Sequence, residues 1–219
     1  MFAGFDFAIL VRNAPFLWGG MLLTLKLTAL AVTGGLLLGV VLAVLRLSTI
    51  PFAPTLVAGY VNFLRSMPLI LAIFWFYTLI PKLTGQSVSS FYSVLIAFIL
   101  FEAAYYSEII RAGISSVRRG QIAAGLALGL TNAQSMRYIV LPQAIRNMTP
   151  VLLTQSIVML QDTSLVYVVG LRDFLTTADI VAGRDSRPVE LYMFVALVFL
   201  VICFGASRMV HRLRRRYAL

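Results

Sequence analysis

The chain has 219 residues, 60% of them hydrophobic and only 12% charged, with a net charge of +10. A soluble domain carries roughly a quarter of its residues as charge, so this composition excludes one and indicates a polytopic membrane protein. The positive residues lie beside apolar runs and at the C-terminus, a pattern set by membrane topology and not by nucleic-acid binding.

Residues 1–16 mix Asp6, Arg12 and Pro15 with apolar neighbours and read as a short interfacial helix. No cleavable signal peptide is expected, because no basic region precedes the first apolar run and that run is too long. The first span covers about 17–45, near the length that crosses a bilayer. Lys26, close to its entrance, is expected to snorkel to the headgroups. Gly35, Gly39 and Ala43 place small residues at every fourth position, a face for close helix packing.

A second span over about 55–81 follows Pro51 and Pro54. Arg65, three residues before Pro68, predicts a broken helix with free backbone groups. Its guanidinium either lines a path or anchors the helix at the interface. After a short outer turn, the third span covers about 88–110. Glu102 lies deep in it, and a carboxylate within a span is by default a functional-site candidate because burying it is costly. Tyr105 and Tyr106 share its helix face, whereas Glu108 is turned away and can pair with Arg111 at i+3.

The connection 111–147 differs in kind. Over 120–142 it predicts two short surface helices, the first with a flat face at Ala123, Ala124, Gly125 and Gly129. Thr131 with Asn132 supplies a stop and an N-cap, and Pro142 is expected to end the second helix. Arg118, Arg119, Arg137 and Arg146 frame this loop with no carboxylate among them, which suits docking onto a partner.

The fourth span covers about 148–169. Gln155, Met159 and Asp162 fall on one stripe, followed by Thr163 and Ser164. Such a stripe either faces a water-filled path or joins helices through hydrogen bonds. An outer loop at 171–190, with mixed charges, suits contact with a soluble partner. The fifth span covers about 191–207, and 212–219 form a basic tail. The only histidine, His211, belongs to that charge cluster, and the single Cys203 precludes an intrachain disulfide. Five spans put Arg46, the loop arginines and the tail on one side, so the positive-inside rule places the N-terminus outside and the C-terminus in the cytoplasm. The transmembrane domain thus runs 17–211.

No phosphate-binding glycine loop followed by Lys-Ser/Thr occurs, and no nucleophile–base–acid set. The chain is therefore expected to be no enzyme, with no cofactor of its own. If transport is driven by ATP, another subunit must hold the ATP and Mg.

The loop resembles that of bacterial ABC-importer permease subunits, which read Glu-Ala-Ala, three residues, Gly, nine residues, Ile-x-Leu-Pro. Here Ala123, Ala124 and Gly125 lead through Gly129 to Ile139, Leu141 and Pro142 at that spacing. Ala123 stands where Glu is usual and Gly125 where the second Ala is usual. Arg65-Ser-Met-Pro-Leu69, Phe101 to Ile114, Leu152 to Gln155 and Gln161 to Tyr167 resemble the polar amino-acid branch, the histidine/glutamate/glutamine/arginine group, in its glutamate/aspartate version. The resemblance covers about 19–215. It implies an all-α, five-helix inner-membrane permease of the type I importer fold, with a cytoplasmic coupling-helix loop. The implied partners are two ABC ATPase subunits, a second permease, identical or different, and a periplasmic amino-acid-binding protein. It further implies coupling through Ala123, Ala124, Gly125, Gly129, Ile139, Leu141 and Pro142. The substrate path would involve Arg65, Glu102, Gln155, Asp162, Thr163 and Ser164.

An ion-coupled secondary transporter, with Glu102 and Asp162 as carriers, is the rival reading. Five spans without an inverted repeat argue against it. A purely structural membrane subunit is the third reading.

Overall fold

The structure, a computed structural model, describes residues 6–85 and 88–217. The expectations for residues 1–5, for Gln86 in the outer turn and for the last two residues of the tail lie outside the described residues. Every regular element among the described residues is helical. A one-turn helix α1 (Ala8–Arg12) leads into α2 (Ala14–Leu47), whose 34 residues extend roughly 50 Å. α2 ends where Ser48 turns extended, just ahead of Pro51.

The second apolar segment is two helices, α3 (Ala53–Arg65) and α4 (Leu69–Thr84). They meet at a bend of 108°. Pro68 causes the break: it has no N–H to continue the ladder, and its ring drives the preceding residue out of helical geometry. The expected broken helix is therefore a corner, and neither half alone reaches the roughly 20 residues of a straight crossing. Among the described residues, four helical stretches are long and apolar enough to cross, and the bent pair would be a fifth.

α5 (Ser90–Ser115) is the central helix, packed against α2, α3 and α4 and against the later α8. Its seam with α2 is made by glycine. A Cβ on Gly35 would stand 2.7 Å from Cβ of Glu102, and one on Gly39 would stand 2.8 Å from Cβ of Tyr106. Ala43 continues the same buried stripe. Small residues let the two backbones approach until main chain touches main chain, which is how helices gain packing where lipid offers no hydrophobic drive.

The connection after α5 forms α6 (Arg119–Ala127) and α7 (Asn132–Ser135). The second surface helix does not end at Pro142 as expected. It passes through one wide π-helical turn, Met136–Val140, straight into α8 (Leu141–Asp162), where Pro142 occupies the first turn. A proline clashes with the carbonyl four residues back, and the wide turn moves that carbonyl aside. Beyond α8 the chain tightens into a 3₁₀ segment, Thr163–Val169, closed by Gly170 at φ +73°.

The outer loop expected at 171–190 contains a helix, α9 (Phe174–Asp185). Its Phe174, Ala178, Val181 and Ala182 are buried against Leu17 and Met21 of α2 and Leu191 and Val195 of α10 (Pro188–Tyr217). Asp173, buried itself, caps α9 by accepting from the amides of Leu175 and Thr176 at 3.2 and 3.0 Å. A buried bond from the Phe174 amide to Thr24 Oγ1, 3.1 Å, ties the entry of α9 to α2.

The glycine seam is testable by contrast. Gly39→Ala should destabilise the protein by about 1–3 kcal/mol, because the new methyl has no space. Gly59→Ala, where nothing lies within 4 Å, should be neutral or slightly stabilising. Thermal melting of both variants in one detergent checks the difference.

Candidate functional site

Two groups of residues stand out, a polar patch deep between α5 and α8 and the loop that joins them. Glu102 is 0% exposed although it is a carboxylate. Its Oε1 accepts from Nε2 of Gln155 at 3.0 Å, whereas Oε2, equally buried, has no hydrogen-bond partner among the described residues. One turn along, the Tyr106 and Ser156 hydroxyls lie 3.0 Å apart. Both pairs join α5 to α8, and the glycine seam of α2 closes the back of the patch.

The expected stripe Gln155, Met159, Asp162 is present, with Met159 fully buried and the two polar residues half-buried. Asp162 ends α8, and no hydrogen bond to its carboxylate is made among the described residues. The hydroxyls of Thr163 and Ser164 turn back onto the carbonyls of Leu160 and Gln161, 2.6 and 2.8 Å away, and stabilise the change from α to 3₁₀ winding.

Arg65 does not join this group. It lies exposed at the corner between α3 and α4, with its guanidinium 5.3 Å from the centre of the Tyr105 ring. A separate ion cluster lies nearby: Glu108 bonds Arg111 on its own helix and also Arg46 at the end of α2. Pairing with Arg111 was anticipated from spacing, but the clasp to α2 was not. Lys26 is exposed, with its ammonium 4.9 Å from the centre of the Phe91 ring.

In the loop, Gly129 ends α6 in the left-handed region at φ +84°. The Leu130 amide bonds the Gly125 carbonyl at 3.1 Å and the Gly129 amide that of Leu126 at 3.0 Å. This double bond pattern is a Schellman stop, which a β-carbon at Gly129 would strain. Thr131 and Gln134 then form a capping box: each side chain bonds the other's backbone amide, at 3.2 and 2.8 Å.

Within the family pattern, Gly125 and Ile139 come together. A Cβ on Gly125 would stand 2.6 Å from Cδ1 of Ile139 and 3.0 Å from the buried hydroxyl of Ser135. The remaining positions, Ala123, Ala124, Gly129, Leu141 and Pro142, are exposed. So are the four arginines and the apolar Leu128 and Tyr138, at 83% and 63%. The loop is thus a fixed, basic and partly apolar surface held by its own caps.

The chain belongs to the family of binding-protein-dependent transport system inner membrane components, whose pattern it matches over residues 35–219. It is 48% identical to the glutamate/aspartate import permease protein GltK of Escherichia coli O157:H7, over 98% of this chain and 99% of that one. It is 33% identical to the probable glutamine ABC transporter permease protein GlnP of Bacillus subtilis, over 94% and 95% of the two chains. In three dimensions it matches an amino acid ABC transporter crystallised with histidines, at a TM-score of 0.91 and 35% identity over 97% and 99% of the chains. A methionine ABC transporter in an inward-facing form, at a TM-score of 0.72 and 19% identity, shares the fold. The chain is a non-catalytic permease subunit of the inner membrane, and membership of this family implies ATPase, binding-protein and second-permease partners.

The Glu102–Gln155 pair should behave as a coupled unit. Gln155→Leu would leave both Glu102 oxygens buried without a partner, and a double-mutant cycle with Glu102→Leu should give a coupling of about 0.6–1.7 kcal/mol. Detergent melting of the four proteins measures it.

Proposed function

We propose that this chain forms half of the membrane pathway of an ATP-driven importer of acidic amino acids, glutamate and aspartate. Its N-terminus lies outside, and the α6 loop and basic C-terminus face the cytoplasm. The observation that carries the reading is the loop. A short exposed helix, stopped by Gly129 and followed at once by a capped helix, is presented as a rigid knob among arginines. Such a knob suits a groove on an ATPase subunit, and an acidic rim there would complement it. ATP and Mg are held by that subunit.

Ala123, Ala124, Gly129, Leu141 and Pro142 contribute the docking surface, while Gly125 and Ile139 brace it from behind. Motion passes to α8, which carries Gln155 and Asp162, and the pathway opens alternately to either side. The substrate assignment is supported by the likeness to GltK. Two acidic residues beside the path would repel an anionic solute at close range, so Glu102 and Asp162 are assigned to its ammonium group or to the gate. Thr163 and Ser164 shape the end of α8, and Arg65 lies at the membrane corner, where its positive charge favours a carboxylate. The paired permease is either a second copy or a related chain.

Gly129→Val tests the loop directly. The variant should insert and accumulate at wild-type level but lose co-purification of the ATPase, with glutamate uptake falling at least tenfold. Uptake that survives without a bound ATPase and follows an ion gradient would overturn the importer reading.

A further inference from the structure

We propose that the cleft between α8 and α10, at the end of the molecule nearest the docking loop, is a binding site for the phosphate of an anionic glycerophospholipid. The cleft has a volume of about 620 Å³. α8 contributes Arg146 and Asn147 at its mouth, and α10 contributes His211 and Arg214. On α10, His211 and Arg214 share one helical face, with Ser207 one turn before His211; on α8, Asn147 and Thr154 share a face two turns apart, with Arg146 beside Asn147. Three cationic or basic side chains and two hydroxyls thus converge on one space.

The charge in this cleft has no internal counterpart. No carboxylate occurs in the sequence between Glu108 and Asp162, nor after Glu190. Glu108, which begins the first gap, is already taken by Arg46 and Arg111. Among the described residues, Arg146, His211 and Arg214 form no ion pair, and all three are exposed. Guanidinium groups favour phosphate because their planar fork matches two of its oxygens.

Position selects a lipid over a soluble anion. From Pro188, where α10 begins, to Ser207 the helix advances roughly 29 Å, about the thickness of the hydrocarbon layer. The residues just beyond Ser207 therefore emerge at headgroup level. Val151 and Val210 line the same cleft. A second crevice between these helices, about 470 Å³, is lined by Leu153, Met209 and Leu213 with Arg212. An amphiphile meets both the basic and the apolar walls, whereas a free anion meets only the first. Basic pockets between membrane helices on the cytoplasmic side are suited to such headgroups.

The test is native mass spectrometry of the chain extracted together with its partner subunits, with phosphatidylglycerol and phosphatidylethanolamine supplied in equal amount. The wild type should retain phosphatidylglycerol preferentially. His211→Gln combined with Arg214→Gln should reduce that retention about fivefold or more. Arg208→Gln, which removes a charge from the same helix outside the cleft, should leave it unchanged. Melting temperatures of all three proteins in neutral-lipid nanodiscs should agree, because the substituted side chains are exposed. Equal loss in Arg208→Gln would reduce the effect to a general basic tail. Equal retention of phosphatidylethanolamine, retention unchanged in the double variant, or absence of bound lipid in the assembly would each overturn the proposal. Displacement of the lipid by inorganic phosphate at matched concentration would mark a soluble-anion site instead and would overturn it too. Lipid retention is read without transport, so its failure leaves the importer reading standing.

Discussion

The contact on which the molecule depends is the one between α2 and α5, where glycine replaces side-chain packing with main-chain approach. Gly35 and Gly39 let Glu102 and Tyr106 lie flat against α2. That contact does two things at once. It supplies dispersion contacts that lipid cannot rival, and it closes one wall around a carboxylate that otherwise would face hydrocarbon. Gln155 and Ser156 then meet Glu102 and Tyr106 from the opposite side, so α5 is held between a glycine seam and a polar one. Larger residues on α2 would move the wall and with it the geometry of every polar group behind it.

The loop between α5 and α8 is organised on a different principle. It has little buried apolar surface: Val117, Val140 and Ala144 form its small core. Its shape comes instead from backbone hydrogen bonds at two successive helix ends, the Schellman stop at Gly129 and the capping box at Thr131. Local bonds of this kind hold a surface element in place without reaching into the membrane. That leaves the outward face, with Leu128, Tyr138 and the arginines, available to a partner.

Much of this was legible in the sequence because it is written in local chemistry. Gly35, Gly39 and Ala43 announced the packing face by their spacing, Glu102 stood out as a carboxylate in an apolar run, and Thr131 signalled a cap. The features that escaped depend on distance or on competing rules. Pro142 was expected to stop a helix because proline usually does, but a wide turn upstream relieves the clash. The 108° corner at Pro68 fixes an angle that no one-dimensional pattern contains. Between residues 171 and 190 the helix signal lies among mixed charges: Asp173 as a cap, followed by Phe174, Ala178, Val181 and Ala182 on one helical face. The clasp between Arg46 and Glu108 joins residues far apart in the chain and left no trace in either neighbourhood.

From Asn132 to Val169 the chain winds without interruption for 38 residues. The π turn at 136–140 and the missing amides at Pro142 and Pro150 all lie in the half next to the loop, and the far half ends in the 3₁₀ turns from Thr163. Beyond Pro150 the winding is regular up to Asp162. The stretch from Pro150 to Asp162 is therefore the stiffest part of the rod, set between an irregular beginning and a 3₁₀ end. Gln155, Ser156 and Met159 all lie within that regular stretch, so their spacing along the face toward α5 is fixed by the helix itself.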